Sequence, residues 1–399
     1  MSKVKVKVVI GSNYGDEGKG LATHFFSQSE KNKCLNVLFN GGCQRGHTVE
    51  LKDGTRHIFH HFGSGTFDNA HTYFDQNFMV NPAIFIQEYN ELKKYGIKPI
   101  CMISPKCRVN TMYDMFINQI VEIHRENKRH GSCGYGIWET QKRYDDGVFA
   151  LDYNQLSHMN DKDVVDYLHN IANVYLPKKL FEYGITEIPQ EYQELIKSKG
   201  LIEHFVSDLR EMQYITFMCD FDRIRNKYNT IIFEGAQGLE LDENNLKALP
   251  YITASNTTSY TPIQRVNDFD CDVEICYITR SYFTRHGAGT LPTECDKSDI
   301  NEDITDLTNC YNDYQQTIRY GMFDYDEFIN RVKTDIQRAR EKISGTKTSV
   351  MITHLNYTDN EIAGNCKIQD LLKHFDNIYL SNTKFSEDIK RTNKGSTIH

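Results

Sequence analysis

The feature that most restricts the fold of this chain is a series of short apolar runs, rich in β-branched residues, that alternate with helix-like stretches. The runs read VKVKVVI, LNVLFN, NTIIFEG, VEICYIT, TSVMITHL and NIYLS, and each is bounded by Gly, Asn, Ser or Thr. Stretches such as NPAIFIQEYNELKKYG lie between them. Strands that alternate with helices predict an α/β fold with a mostly parallel central sheet and helices on both of its faces.

Polar or glycine-rich segments follow the predicted strands. They read GSNYGDEGKG, NGGCQRGH, FEGAQG, THLN and LSNTKF. Ligands of open α/β sheets bind outside the carboxyl ends of the strands. These five segments are therefore predicted to form one ligand site.

The composition restricts the possible partners. The 399 residues carry a formal net charge of −8, which gives no general attraction to nucleic acid or to an anionic membrane. No apolar run is long enough to span a membrane and no signal-like block is seen, so we expect a cytoplasmic protein. Eleven cysteines without a C-x-x-C pair predict reduced thiols rather than disulfides or a zinc site.

The pattern along the chain predicts one domain over residues 1–399. Apolar residues at three- and four-residue spacing predict a helical excursion over about residues 152–225. A polar, acidic segment over about residues 290–320 is too long for a simple connection, and we predict that it is a mobile or functional loop.

The segment GSNYGDEGKG, residues 11–20, is named the phosphate loop here. Its glycines allow the backbone to approach a phosphate, and Lys19 supplies a cation at a predicted helix start. It departs from the standard G-x-x-x-x-G-K-[ST] pattern, because Asn13 holds the first glycine position and Gly20 the Ser/Thr position. A tight strand-to-helix turn is the alternative interpretation, but such a turn needs one or two glycines rather than four.

Two carboxylates, Asp16 and Glu17, lie inside the phosphate loop. A carboxylate is unfavourable beside a phosphate unless Mg²⁺ or an acidic substrate proton faces it. The pattern therefore indicates a carboxylate that binds a metal ion or removes a proton.

Two further segments supply polar side chains. NGGCQRGHTV ends a strand and offers Gln44, Arg45, His47 and Thr48, and FEGAQG places Gln237 in a turn between glycines. A lone histidine is more often structural than catalytic, but a histidine beside a phosphate loop is a candidate for catalysis. An amide in such a turn can hydrogen-bond a polar ligand.

These segments, in this order, resemble the adenylosuccinate synthetase family through nearly the whole chain. GDEGKG corresponds to the family's GDEGKGK, and GGCQRGHT to its GGHNAGHT. FEGAQG followed by PYITASNTT corresponds to FEGAQG and PYVTSSNTT, and TRHGAGTLPTE to TRVGAGPFPTE. The resemblance implies a nucleotide-binding fold related to that of P-loop proteins.

The family joins the amine of aspartate to C6 of a 6-oxopurine nucleotide, after a nucleoside triphosphate has phosphorylated the 6-oxygen. The resemblance implies that Asp16 ligates Mg²⁺ and removes the proton from purine N1. It implies that His47 is the acid that stabilises phosphoryl transfer, and that Gln237 holds the 6-oxygen side of the purine. The backbone oxygen of Gly46 is implied as a second Mg²⁺ ligand, since this hard cation prefers oxygen.

The same resemblance implies three substrate sites and a homodimer. The donor nucleotide site comprises Gly15, Glu17, Gly18, Lys19, Gly20, Gly46, His47, Thr48, Arg319, His354, Asn356, Ser381 and Asn382. The monophosphate site comprises Asn13, Asp16, Gln44, Arg45, Ser132, Cys133, Gln237 and Thr253. The aspartate site comprises Gln315, Gln316, Thr317 and Arg319.

The chain departs from the family at the segment that reads the donor base. The family has T-K-L-D, whose Asp accepts two hydrogen bonds from guanine, whereas this chain has THLN, with His354 and Asn356. An Asn amide offers one acceptor and one donor, which matches adenine rather than guanine. We therefore expect ATP or dATP as the phosphoryl donor.

Two other family segments are also changed. The family's T-T-G-R-R-R-R-T-G-W-L-D aligns with YQQTIRYGMFD, so that Thr317 replaces the arginine that touches the 2′-hydroxyl. This loss fits a deoxynucleotide monophosphate. The family's G-T-T-G-R-G-I-G-P becomes GSCGYGIWE, and its arginine that acts from the second subunit has no clean counterpart, although Lys142 and Arg143 lie close in sequence.

These changes resemble the viral branch of the family, which uses ATP to join aspartate to dGMP, and for a viral protein we expect the host cytoplasm. Asp16 is kept here, whereas that branch loses it. An ordinary adenylosuccinate synthetase that uses IMP, with an altered donor site, is the first alternative. A nucleotide-binding switch without catalysis is the second. THLN and Gly20 disfavour the switch, which would need an N-K-x-D motif and a Ser or Thr after the loop lysine.

Overall fold

The computed structural model describes residues 3–30, 33–309, 311 and 314–393. Its strands are β1 (Val4–Gly11), β2 (Cys34–Leu38), β3 (His47–Glu50), β4 (Arg56–Phe59), β5 (His71–Phe74), β6 (Met79–Val80), β7 (Cys101–Ile103), β8 (Arg108–Val109), β9 (Thr216–Met218), β10 (Thr230–Gly238), β11 (Cys271–Arg280), β12 (Phe283–Arg285), β13 (Glu294–Cys295), β14 (Arg319–Gly321), β15 (Lys347–Thr353), β16 (Asn377–Leu380) and β17 (Lys390–Asn393).

The α-helices lie mostly between these strands. They are α1 (Lys19–Ser27), α2 (Pro82–Lys94), α3 (Met112–Arg125), α4 (Ile137–Asp146), α5 (Tyr153–His158), α6 (Asp161–Asn170), α7 (Leu176–Glu182), α8 (Gln190–Ile196), α9 (Lys199–Ile215), α10 (Phe221–Ile224), α11 (Tyr260–Val266), α12 (Lys297–Ile300), α13 (Tyr325–Arg340) and α14 (Ile368–Leu371). A π-helical turn, Ile171–Tyr175, joins α6 to α7.

Ten strands form the main sheet, in the order β17-β16-β15-β11-β1-β10-β2-β5-β7-β9. Every neighbouring pair is parallel except β16 with β17. The prediction of an α/β fold with a mostly parallel sheet is confirmed. The six predicted apolar runs all form strands of this sheet.

Helices cover both faces of the sheet, because side chains alternate along each strand. Val8 of β1 lies in a buried cluster with Phe328 and Val332 of α13. Val9, the next residue, lies in a different cluster with Ala22 of α1. Strands that are buried on both faces need nearly continuous apolar sequence, and this explains the runs seen in the sequence.

Helices α5 to α9, within the predicted excursion over residues 152–225, share one buried cluster with α2 and α3, in which Leu168 and Leu209 pack with Phe85 and Ile117. Phe221 and Ile224 of α10 belong instead to the cluster of Val8. The predicted loop over residues 290–320 contains β13, α12 and the start of β14. The mobility of this loop and the extent of the domain stay predictions.

Among the described residues, no helix combines the length and the apolar character that crossing a membrane requires. All ten cysteines in the described ranges are free thiols.

Candidate active site

The phosphate loop follows β1 at the centre of the sheet, and its own Glu17 fills it. Oε1 of Glu17 accepts hydrogen bonds from the backbone N–H groups of Asn13, at 2.9 Å, and Gly15, at 3.0 Å. Oε2 lies 3.1 Å from Nζ of Lys19. Both charged side chains are buried. N–H groups and a lysine in this arrangement bind anions, and here the anion is a carboxylate of the same loop.

The backbone of Asp16 is fixed by a hydrogen bond, whereas its side chain is not engaged by the protein. Its carbonyl oxygen accepts a 2.7 Å hydrogen bond from Nε of Arg280, at the end of β11. Within the described residues, its carboxylate makes no hydrogen bond or ion pair. Burial raises the pKa of Asp16 above its ordinary value, and the cations of Lys19 and Arg280 oppose that shift. A carboxylate without a protein partner is free to meet a proton or a cation.

Four predicted site residues have left-handed backbone, with φ of 60° at Asp16, 66° at Gln237, 66° at Gln316 and 60° at His354. This region is sparsely occupied by residues other than glycine, and such strain collects at functional sites. The strained positions occur on four different segments. The other non-glycine residues with positive φ in the described part of the chain, Asn69, Glu126, Asp359 and Asn360, lie outside the predicted site.

The loops at the strand ends pack closely. A Cβ atom on Gly238 would lie 2.3 Å from the carbonyl oxygen of Asn13, and one on Gly20 would lie 3.0 Å from Cβ of His47. The FEGAQG turn and the GGCQRGHT segment therefore lie directly against the phosphate loop, which requires glycine at these contacts.

His47 belongs to a buried charged group with Arg45 and Glu234. Oε1 of Glu234 lies 2.6 Å from Nδ1 of His47 and 2.7 Å from Nη2 of Arg45. Burial and Arg45 lower the pKa of His47 to about 3. Burial opposes the shift at Glu234, but Arg45 and His47 lower the pKa of that carboxyl to about 2. We assign the proton of neutral His47 to Nδ1, which donates it to the ionised Glu234 and leaves Nε2 as an acceptor.

Polar atoms of the GGCQRGHT segment lack partners. Nε and Nη1 of Arg45 and both amide atoms of Gln44 are buried without a hydrogen bond. Buried polar atoms are costly when unpaired, and bound ligand or water commonly satisfies them. The unpaired atoms of Gln44 and Arg45 are consistent with the predicted role of these two residues in substrate binding.

The predicted monophosphate residues of the GSCGYG segment lie across from the GAG turn. A Cβ atom on Gly131 would lie 2.7 Å from the backbone nitrogen of Ala288. Oγ of Ser132 accepts a 2.8 Å hydrogen bond from Asn118. Burial raises the pKa of Cys133 to about 11, so this residue offers a neutral thiol. Thr253 donates its backbone N–H to Leu241, at 2.8 Å.

The predicted base-reading segment lies at the end of β15 and is tied to the phosphate loop. Oγ1 of Thr353 donates a 2.8 Å hydrogen bond to the carbonyl of Glu17. Burial lowers the pKa of His354 well below its ordinary value, with Arg280 adding to the shift. Asn356 is exposed. The backbone N–H of Leu355 donates to Ser381, at 3.2 Å, so the segments after β15 and β16 are neighbours and bring Asn382 to the same edge.

A family model for adenylosuccinate synthetase matches residues 8–359. The chain belongs to the adenylosuccinate synthetase family. Adenylosuccinate synthetase of Thermoplasma volcanium is 27% identical over 307 residues, which are 75% of this chain and 65% of that protein. The synthetase of Vibrio parahaemolyticus is 30% identical over 302 residues, 72% of this chain and 63% of that protein. The chain thus spans 63 to 65% of the length of these curated relatives.

Two solved structures share the fold. The fully ligated adenylosuccinate synthetase of Plasmodium falciparum has a TM-score of 0.64 at 18% identity, over 97% of this chain and 87% of that chain. The succinoaminodeoxyadenylate synthetase of cyanophage S-2L, described as bound to dGMP and dATP, has a TM-score of 0.61 at 15% identity, over 98% of this chain and 96% of that one. At these identities the similarity shows the synthetase fold alone.

The segment predicted to bind aspartate in this synthetase-family chain touches the GAG turn. The backbone oxygen of Gln316 accepts a 3.0 Å hydrogen bond from Nε2 of His286. Arg319 is engaged within its own chain, because it pairs with Glu294 and Nη1 donates to Gly287 and Gly289, at 3.1 and 2.8 Å. The predicted roles of Arg319, Gln315 and Thr317 stay predictions, and that of Arg319 requires its ion pair to open.

Arg143 does not replace the family's arginine from the second subunit. Its guanidinium is buried and makes two hydrogen bonds to Asp114, at 2.7 and 2.8 Å. Its other N–H groups donate to Tyr167 and to two backbone carbonyls. A side chain saturated in this way cannot reach another subunit. Lys142, its neighbour, is one-third exposed, with Nζ 4.7 Å from the centre of the Tyr183 ring.

Sequence reasoning missed three charged residues that shape the site. Glu234 lies inside FEGAQG and Arg280 ends the strand YITR, so a charged residue at the end of an apolar run was the available signal. Arg331 of α13 donates a 3.1 Å hydrogen bond to the carbonyl of Ser12 and also contacts Asn13. No motif surrounds Arg331, and only the fold brings it to the loop.

The residues predicted to ligate Mg²⁺ fit that cation by their chemistry. Asp16 has a carboxylate without a protein partner, and Gly46 is an exposed glycine in the neighbouring loop. Mg²⁺ is commonly held by one or two protein oxygens together with substrate phosphates and water. Among the described residues, no group of three or more His, Cys, Asp or Glu side chains could hold a metal without the substrate.

Proposed function

We propose that this chain is a ligase that joins L-aspartate to C6 of a 6-oxopurine nucleotide at the expense of a nucleoside triphosphate. The observation that carries the proposal is the convergence of three candidate side chains on one loop. Gly15 lies beside Gln237, whose Oε1 would be 3.7 Å from a Cβ there, and Gly20 lies beside His47. Asp16 lies between these glycines in the sequence.

The chemistry needs two displacements. Asp16 takes the proton from purine N1, the 6-oxygen then attacks the γ-phosphorus, and the nucleoside diphosphate leaves. The amine of aspartate then attacks C6, the 6-oxygen leaves as phosphate, and the amine loses a proton. Phosphorylation is required because hydroxide or oxide is a poor leaving group from the ring.

Asp16 and the backbone oxygen of Gly46 would hold Mg²⁺, which when bound would supply positive charge to the phosphates of the donor. Lys19 contacts the same phosphates once its ion pair with Glu17 has broken. Gln237 orients the 6-oxygen through its amide.

His47 is neutral in the arrangement with Glu234 and Arg45, and it presents Nε2 as an acceptor. Its proposed role as an acid therefore depends on the donor nucleotide, because nearby negative charge favours a protonated imidazole. Glu234 keeps the ring oriented throughout by accepting the hydrogen bond that Nδ1–H of His47 donates.

For the substrates, we propose dGMP and ATP or dATP, with 2-amino-2′-deoxy-N6-succinyladenylate as the product. Asn356 supports an adenine donor and Thr317 supports a deoxyribose, by the arguments given above. The cyanophage structure, which shares the fold, is described with dGMP and dATP. We further propose that the protein acts as a cytoplasmic homodimer.

The second candidate is an ordinary adenylosuccinate synthetase that uses IMP. The observation that favours it is the retained Asp16, together with curated relatives of that name at 27 to 30% identity.

Purified protein with Mg²⁺, aspartate and ATP, given dGMP, GMP or IMP in turn, tests these alternatives by mass spectrometry of the nucleotide product. The proposal predicts a succinylated product with the highest kcat/KM for dGMP. Efficient use of IMP alone would establish the second candidate, and no product from any of the three would refute a ligase.

A further inference from the structure

A polar cavity of about 450 Å³ opens beside the site, and none of the predicted site residues lines it. It is bounded by the end of β2, by Arg108 of β8, by Gln141 of α4, by residues 254–261 and by Arg338 of α13. It is called the side cavity here. Its volume lies within the range of small-molecule sites, which is roughly 300–1,000 Å³.

The hydrogen-bonding groups of the side cavity are mainly donors. Oγ of Ser255 is buried and has no hydrogen-bond partner. Oδ1 of Asn256 already accepts from Oγ1 of Thr258, at 2.7 Å, and from Oγ1 of Thr261, at 3.4 Å, which leaves its NH₂ group to donate. The hydroxyl of Tyr260 accepts from Gln264, at 2.6 Å, so its own proton is available. A ligand that satisfies these groups must be rich in acceptors.

The charge of the lining is positive. The lining contains two arginines, Arg108 and the exposed Arg338, and one acid, Glu243. Arg108 donates to Gln141 and lies 4.7 Å above the ring of Tyr144, which fixes its position. Within the described part of the chain, the guanidinium of Arg338 has neither a hydrogen bond nor an ion pair. Arginine donors of this kind bind phosphate oxygens more strongly than neutral donors do.

We propose that the side cavity binds a small phosphate monoester that carries hydroxyl groups, such as a sugar phosphate. The phosphate accepts from Arg338, Ser255 and Asn256, and Glu243 accepts from a hydroxyl of the sugar. This site is separate from the phosphate loop and does not depend on the proposed ligase activity.

Isothermal titration calorimetry of the full chain with ribose 5-phosphate tests the proposal, with inorganic phosphate and ribose as separate arms. We expect binding of ribose 5-phosphate, weaker binding of phosphate and no binding of ribose. Arg338→Gln should weaken ribose 5-phosphate binding about 10-fold or more, because a charge-assisted hydrogen bond is lost. Ser255→Ala should weaken it about fivefold, as the loss of one neutral hydrogen bond predicts.

Two controls place the binding site. Arg340→Gln changes an exposed arginine on the same helix that does not line the side cavity, and it should leave the affinity unchanged. Gln44→Ala, in the predicted monophosphate site, removes an amide that has no hydrogen-bond partner, and it should also leave the affinity for ribose 5-phosphate unchanged. No binding of ribose 5-phosphate at millimolar concentration would overturn the proposal. So would an affinity for ribose 5-phosphate that Gln44→Ala abolishes and Arg338→Gln does not change.

Discussion

Oε2 of Glu17 lies 3.1 Å from Nζ of Lys19, and both side chains are buried inside the loop that follows the central strand. The carboxylate also accepts the backbone N–H groups that a phosphate would otherwise meet. The loop therefore holds an anion of its own. A triphosphate that binds here has to compete with Glu17 for Lys19.

Removal of the Glu17 charge should destabilise the fold. Glu17→Gln leaves Lys19 buried without its counter-ion, and breaking a buried ion pair costs about 3–5 kcal/mol. The free energy of unfolding in urea should fall by about that amount. Asp270→Asn, which removes an exposed pair with Lys3, is the control and should leave the unfolding free energy unchanged. Equal stability of Glu17→Gln and wild type would show that the pair contributes nothing.

Asp16→Asn should abolish catalysis and preserve the fold. The backbone of Asp16 is held by Arg280, and asparagine tolerates left-handed backbone well. Loss of a general base typically lowers the rate about 10²–10⁴-fold. Steady-state kcat/KM and the melting temperature should be measured together. Activity within a few-fold of wild type would mean that another group takes the N1 proton.

The carboxylate of Glu234 should stabilise the folded state at neutral pH, and this stabilisation should be lost in acid. Its pKa falls from 4.5 to about 2 on folding, so its stabilisation is complete above pH 5 and is lost as the pH falls towards 2. This shift corresponds to about 3 kcal/mol. The difference in unfolding free energy between wild type and Glu234→Gln should therefore narrow by about that amount between pH 5 and pH 2. A difference that does not change with pH would contradict the ionised Glu234.

The donor preference should depend on Asn356. Guanine presents two N–H donors to an amide that accepts only one, and an unpaired buried donor costs about 1–3 kcal/mol, or about 5- to 150-fold in affinity. ATP should therefore be preferred over GTP in steady-state assays with saturating aspartate and monophosphate. Asn356→Asp combined with His354→Lys should shift the preference towards GTP. A wild-type preference for GTP would show that THLN does not read the base.

The centre of the sheet could be predicted from sequence and its edges could not. The six predicted runs form β16, β15, β11, β1, β10 and β2, which are consecutive in the sheet. These strands are buried on both faces, so their sequences are nearly continuously apolar. The strands that were missed, β5, β7, β9 and β17, have only three or four residues each, and such short segments carry little periodic signal.

The contacts within the site were beyond sequence reasoning for a related reason. The motifs identified the loops that converge, but His47 and Glu234 are separated by 187 positions, and their pairing depends on the order of strands. The burial of Arg143 was equally hidden, because its partner Asp114 lies on a different helix.

The central claim is that the 6-oxygen of the purine is phosphorylated before aspartate displaces it. An isotope experiment that follows this oxygen into the released phosphate tests the claim most directly. The protein is given Mg²⁺, aspartate, ATP and dGMP labelled with oxygen-18 at C6, or labelled IMP if that is the nucleotide used, and the released phosphate is analysed by mass spectrometry. Because the 6-oxygen is phosphorylated before aspartate displaces it, we predict one labelled oxygen in each phosphate formed with the succinylated product. Unlabelled phosphate alongside that product, or no succinylated product from either nucleotide, would contradict the account.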